Sequence, residues 1–262
     1  MPVVERQGRS IHHSLAGDGP GLILIPGLGS GARLFGTLPR RFVRSGFTCA
    51  AIDPVGLEPS SPLPGGIFDF TQAAHDVLAV AETLPKPVTL VGTSLGGKVA
   101  LCAAAMQSDT ISKLVMLCSS AAQTARSKRV YRWFELLCTE IDGKHLGDLT
   151  APFLFGETFL NEKASVVDDI IRSTKPSAES RAFMQSQARA LQSFDGQALC
   201  PKANLPVLCL AGAEDTLTLP HEVEHTASLM PNAKYQRIER AGHSLLLESA
   251  SAFDLVTDFA RS

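Results

Sequence analysis

Val88-Thr89-Leu90-Val91-Gly92-Thr93-Ser94-Leu95-Gly96-Gly97 is the stretch on which the fold turns. The apolar run Pro87–Val91 has the length and β-branched content of a buried strand. The residues from Leu95 to about Met106 form an apolar helical pattern. Between them, G-x-S-x-G must reverse the chain within a few residues. A turn that tight forces Ser94 into a strained backbone conformation and lifts its hydroxyl clear of the sheet edge. Any side chain at Gly92 or Gly96 would collide with the neighbouring strand or helix. The helix that follows starts with unpaired N–H groups, and that of Leu95 points to where negative charge would develop on a carbonyl under attack. In a chain with 21 glycines the short motif could arise by chance. The strand before it and the helix after it argue otherwise.

Working outward, further short apolar runs alternate with longer helical patterns. The runs are Gly21–Ile25, Phe47–Ile52, Lys113–Cys118, Pro206–Ala211 and Lys234–Ile238, and they read as strands covered on both faces. Val3–Arg6 and Ser10–Leu15 add an antiparallel hairpin at the edge. The fold class is therefore α/β, a mostly parallel eight-stranded sheet with helices on both faces. Helices are expected at Ala32–Arg44, Phe70–Leu84, Leu95–Met106 and Ser244–Ala260. The alternation breaks once. From 119 to 204 no strand is convincing, and helical patterns at Arg126–Ile141, Glu162–Ser173 and Ala178–Ser193 predict an inserted helical cap of roughly 85 residues. The core is then 1–118 with 205–262.

A serine hydroxyl needs a base, and the base needs an acid to orient it. His243 stands in Ala241-Gly242-His243-Ser244, after the last core strand. Asp215 stands in Ala211-Gly212-Ala213-Glu214-Asp215, just past the strand ending near Leu210. With Ser94, these three lie at the carboxyl ends of parallel strands, where an open α/β sheet presents its crevice. Their order, Ser, Asp, His, fits a nucleophile elbow. A loop histidine is commonly a surface residue and an aspartate after a strand commonly a helix cap, so it is the conjunction that carries weight. Glu214 is the rival acid. The loop after Cys118 offers only Ser119 and Ser120. Pro26-Gly27-Leu28-Gly29-Ser30-Gly31, after the first core strand, supplies a second candidate oxyanion donor, the Leu28 N–H, to pair with Leu95. It lacks the lysine of a phosphate-binding loop and the spacing of a dinucleotide fingerprint.

The composition supports a small-molecule enzyme. Of 262 residues, 45% are hydrophobic, and the net charge of −2 recruits neither nucleic acid nor an anionic membrane. Paired cations such as Arg40-Arg41 and Lys128-Arg129 form no patch. No early segment has the apolar core of a secretory signal or the length of a membrane span. Six scattered cysteines without a CxxC read as buried reduced thiols, which makes the cytoplasm the default compartment.

One decoy needs an answer. His221-Glu222-Val223-Glu224-His225 matches H-E-x-x-H, the zinc-protease pattern, and Pro220 suits the first turn of a helix. Pro231 ends that helix soon after, and no third ligand motif follows except His243, which the serine already claims. No metal or other cofactor is therefore expected. His12-His13 alternate faces on an edge strand and read as surface histidines. Trp133, Phe134, Phe155 and Phe159 could line an acyl pocket under the cap, with Trp133 the substrate-binding candidate, or could simply be the cap's own core.

These motifs together resemble the α/β-hydrolase superfamily along essentially the whole chain. Its nucleophile elbow falls on Gly92–Gly96, its oxyanion loop on Pro26–Gly29, its acid on Asp215, its histidine on His243 and its helical cap on the insertion. The chain is most similar to the carboxylesterase and enol-lactonase-like branch. Pro26-Gly27 stands where many relatives have His-Gly. Asp53-Pro54-Val55-Gly56-Leu57-Glu58-Pro59-Ser60 departs from Asp-x-Arg-Gly-x-Gly-x-Ser, which alters that loop but not the triad. The resemblance implies a serine hydrolase acting on a small-to-medium, largely apolar ester or lactone. The same triad also serves C–C bond, thioester and N-terminal peptide hydrolysis. A ligand-binding protein that lost turnover is the reading from another class.

Overall fold

Hydrophobic alternation within each central strand builds the layers. A computed structural model describes residues 2–173 and 176–262. In the strand Gly21–Ile25, Leu22 and Leu24 enter one apolar cluster while Ile23 and Ile25 enter the opposite one. Successive strand side chains point to opposite faces, so only a sheet sandwiched between helices accommodates such a run. Val207–Gly212 behaves likewise, with Val207 and Cys209 on one side and Leu208 and Leu210 on the other.

The strands are β1 (Val3–Arg6), β2 (Arg9–Ala16), β3 (Gly21–Ile25), β4 (Thr48–Ile52), β5 (Val88–Thr93), β6 (Ile111–Leu117), β7 (Val207–Gly212) and β8 (Ala233–Ile238). They form one eight-stranded sheet in the order β1-β2-β4-β3-β5-β6-β7-β8. The pairs β1–β2 and β2–β4 are antiparallel, and every other pair is parallel. The order reverses at β3, so β5 to β8 march outward from there with their carboxyl ends along one edge.

Around the sheet lie α1 (Leu38–Arg44), α2 (Phe70–Ala81), α3 (Leu95–Ala105), α4 (Ala125–Glu140), α5 (Leu146–Leu154), α6 (Glu157–Glu162), α7 (Ala164–Ser173), α8 (Ala178–Leu191), α9 (Pro220–Ser228), α10 (Leu245–Glu248) and α11 (Ala250–Arg261). Side chains of α2, α3 and α9 fill one cluster, and Phe42 of α1 with Phe253 and Val256 of α11 fill the other. Helices α4 to α8 all lie between β6 and β7, with no strand among the described residues there.

Several boundaries differ from expectation for local reasons. The single helix expected at Ala32–Arg44 is a 3-10 turn, Ala32–Phe35, and then α1, separated by Gly36 at φ 50°. The last helix is split at Ser249, whose side chain caps α11 by accepting the Ala252 N–H. Strand β8 is not covered on both faces. It is the sheet edge, and Lys234 and Arg237 are among its exposed residues. Nor is β2 an edge strand, because β1 covers it. His13 is accordingly buried, not on the surface, and burial lowers its pKa.

Candidate active site

Strand β5 runs into α3 through Ser94, which adopts φ 55° and ψ −117°, a left-handed conformation that L-residues enter only under constraint. The constraint is visible on both sides. The Ser94 N–H donates to Leu117 O at 2.8 Å, and its carbonyl accepts the Ser119 hydroxyl at 2.7 Å. A Cβ on Gly92 would sit 2.3 Å from Gly96 O, and one on Gly96 would sit 2.2 Å from Ile25 O. No residue but glycine fits either place, so the elbow is locked against α3 on one flank and β3 on the other.

Two strands along, β7 delivers Asp215 and β8 delivers His243. His243 Nδ1 lies 2.8 Å from Asp215 Oδ2, with both side chains almost wholly buried. The other carboxylate oxygen, Oδ1, accepts the Leu217 and Thr218 N–H groups at 2.8 and 3.0 Å, which fixes the acid in its turn. A carboxylate only accepts, so the proton belongs on Nδ1 and Nε2 is left as the basic nitrogen. Glu214, the rival acid, is engaged elsewhere. Its carboxylate accepts the N–H and hydroxyl of Thr158 in α6. Among the described residues no hydrogen bond joins the Ser94 hydroxyl to His243.

Cys118, at the end of β6, fills the space between these parts. Its Sγ lies 3.6 Å from Gly242 O and within 4.8 Å of the ligand atoms of Asp215 and His243. Burial, and then the Asp215 charge, push this thiol well above its ordinary pKa. The imidazole is already bonded to the carboxylate, which commits two of these three groups to each other. The H-E-x-x-H segment forms α9 as expected. There Glu222 is buried and caps its own helix, accepting the Leu219 N–H at 3.0 Å, while His221 and His225 stay exposed.

The glycine-rich loop after β3 approaches the elbow closely, since a Cβ on Gly27 would lie 3.5 Å from Ser94 Cβ. Among the described residues neither the Leu28 N–H nor the Leu95 N–H donates a hydrogen bond. The next amide, Gly29, donates at 2.7 Å to Gln187 Oε1, a side chain of α8 that is 1% exposed. Gly29 itself has φ +67° and lies under Met184. Trp133 is half-buried and packs on Phe134 and Phe153, with ring centroids 4.9 and 4.8 Å away. These contacts lie within the helical segment, and Phe153 is itself exposed.

Two residues near the site escape sequence reasoning. Gln187 is one, since nothing in α8 marks it for a loop 158 positions away. Glu248 is the other. Its carboxylate accepts the N–H groups of Gly156, Gly242 and Ser244 at 2.9, 2.7 and 2.9 Å, and so clamps both sides of His243 to the segment between α5 and α6. Burial raises its pKa, opposed by those three N–H groups. The spacing Ser244…Glu248, close to that of a capping box, was the available signal.

Comparison with known proteins agrees with this fold. A family model described as alpha/beta hydrolase fold matches residues 20–250. The chain is 28% identical over 198 residues to a pimeloyl-[acyl-carrier protein] methyl ester esterase of Neisseria meningitidis, covering 71% of this chain and 73% of that protein. It is also 28% identical over 251 residues to polyketide synthase ThaQ of Burkholderia thailandensis; the match takes in 91% of this chain but spans only 12% of that protein's length. Among solved structures, the enol-lactonase of Burkholderia xenovorans LB400 superposes with a TM-score of 0.87 at 21% identity, covering all of both chains.

Proposed function

Since the chain belongs to the alpha/beta hydrolase family, we propose that it is a serine hydrolase with Ser94 as nucleophile, His243 as general base and Asp215 as the acid orienting that base. The observation that carries this reading is the buried 2.8 Å contact between His243 Nδ1 and Asp215, two strands from a serine held at positive φ. Ser94 attacks a carbonyl carbon while Nε2 takes its proton. The Leu28 and Leu95 amides stabilise the oxyanion, and His243 then protonates the leaving alcohol. Water repeats the sequence on the acyl-enzyme. In ligand-free enzymes the serine–histidine contact is often long and tightens with substrate.

The substrate we infer is a small-to-medium, largely apolar ester or lactone. Esterase and enol-lactonase names among similar proteins support that class. Residues 119–204 act as a cap over the site. Supporting this are the ties from the Gly29 amide to Gln187 and from the Ser244 N–H to Leu154 O at 2.9 Å. No metal or cofactor takes part. Six unpaired buried cysteines suit the cytoplasm, and among the described residues no helix is long and apolar enough to cross a membrane. Ser94→Ala should lower kcat on p-nitrophenyl butyrate by about 10³-fold or more. Retention of activity would overturn the mechanism.

A further inference from the structure

A cavity of about 220 Å³ lies behind the elbow and touches none of Ser94, Asp215 and His243. Its walls include Ile11, Ile25 and Ile52 from the sheet with Leu95 and Val99 from α3, all buried apolar side chains. The polar Arg9, Gln72 and Asp76 also line it. Two further lining residues connect it to the reaction site. Pro26 begins the oxyanion loop, and Gln187 accepts the Gly29 N–H of that loop at 2.7 Å. Through Pro26, Gln187 and Leu95 the cavity adjoins the loop and the helix start whose amides are the candidate oxyanion donors. The lining also includes Ile67, which is 72% exposed, and exposed Asp69, so the cavity reaches the surface.

From this geometry we propose that the cavity is the acyl-chain site, taking an unbranched saturated chain of about eight carbons. The proposal rests on the serine-hydrolase reading for the placement of the carbonyl. Size sets the chain length: an apolar cavity of 150 Å³ holds benzene, six carbons, and scaling to this volume gives about eight or nine. The chemistry sets its character. Arg9, the cation in the lining, already donates to Asp76 and Gln72 at 3.2 and 3.3 Å. Asp76 takes a second ion pair from Arg6 at 2.8 Å. A charged tail would have to compete with this cluster, whereas a methylene chain meets isoleucine, leucine and valine. The chain passes the Leu95 side chain as its carbonyl oxygen meets the Leu95 amide, and it ends toward Ile67.

The test compares p-nitrophenyl acetate with p-nitrophenyl octanoate in the full-length protein, alongside calorimetric titration of Ser94→Ala with octanoate. Ala73 of α2 is a small residue in the lining. The wild type should prefer octanoate over acetate by at least about tenfold in kcat/KM, since each buried methylene contributes roughly fourfold. Ala73→Phe should remove that preference while leaving acetate within about twofold. Ile67→Asp, at an exposed position where folding is not at risk, should raise KM for octanoate several-fold. Ser94→Ala should bind octanoate, and Ser94→Ala with Ala73→Phe should not. Equal loss of both esters in Ala73→Phe, no change in either variant, or no octanoate binding to Ser94→Ala would overturn the assignment. If the wild type turned over neither ester, the serine-hydrolase reading would fail, and the titration would still decide whether the cavity takes the chain.

Discussion

Ser94 stores strain that its neighbours hold in place, an arrangement costing about 1–3 kcal/mol and met mostly at functional sites. That strain was legible in the sequence because its causes, Gly92, Gly96 and Gly97, lie within three residues of it. Asp215 and His243 were legible for a related reason, since each follows its strand by only a few positions. Glu248 was not, because one of its partners, Gly156, is 92 residues away. On the proposed mechanism this carboxylate is a positioning residue: it touches the backbone flanking His243, not the reacting atoms. Removing it strands the Gly156 and Gly242 N–H groups in a partly buried place, while that of Ser244 keeps Leu154 O; each costs about 1–3 kcal/mol if left unsatisfied. Glu248→Ala should therefore lower kcat on p-nitrophenyl acetate at least about tenfold with KM little changed. Glu248→Gln should recover part of the loss, because one amide oxygen still accepts. An unchanged kcat in Glu248→Ala would show that the histidine loop holds itself.

At the scale of elements, the sequence located every strand but misjudged cover. Ala233–Ile238 carries Lys234, Gln236 and Arg237 where its inner neighbour β7 is apolar, a sign of the exposed sheet edge that an expectation of cover on both faces overlooked. Helix α5 escaped notice because Pro152 and Gly147 spoil its pattern; neighbouring helices, α7 among them, supply the stabilisation that propensity withholds. Between α4 and α8 the tie is ionic. Glu135, itself buried, accepts from Arg189 at 2.7 Å, from Gln192 at 2.9 Å and from Arg132 at 2.6 Å. Arg189 above all draws its pKa from 4.5 down to about 2. A carboxyl whose folded pKa is depressed contributes stability that is complete above its unfolded value and fades as pH falls toward the folded one. The α4–α8 contact should thus loosen between about pH 4.5 and 2. Trp133, the only tryptophan, lies on α4 and reports it. Its fluorescence should show an acid transition in that window that Glu135→Gln removes. The gain is modest, because both arginines are more than half exposed. A transition unaltered by Glu135→Gln would assign it to other groups.

The whole molecule makes the site by strand order. Ser94, Cys118, Asp215 and His243 end or follow β5, β6, β7 and β8, which are successive neighbours in the sheet, so positions as much as 149 residues apart converge on one edge. Parallel order places them there, and the alternation of apolar runs with helices was enough to anticipate it. What the sequence could not convey is how the helices between β6 and β7 grip both the loop after β3 and the loop that carries His243. Those contacts join residues whose spacing follows no period. On the proposed mechanism the convergence has a direct chemical readout, because the serine would be activated only in the folded chain. Native protein treated with a fluorophosphonate and weighed intact should gain one adduct, mapped to Ser94. Urea-unfolded protein, His243→Ala and Ser94→Ala should each gain essentially none. An unlabelled native protein, or a label on any other residue, would contradict the account.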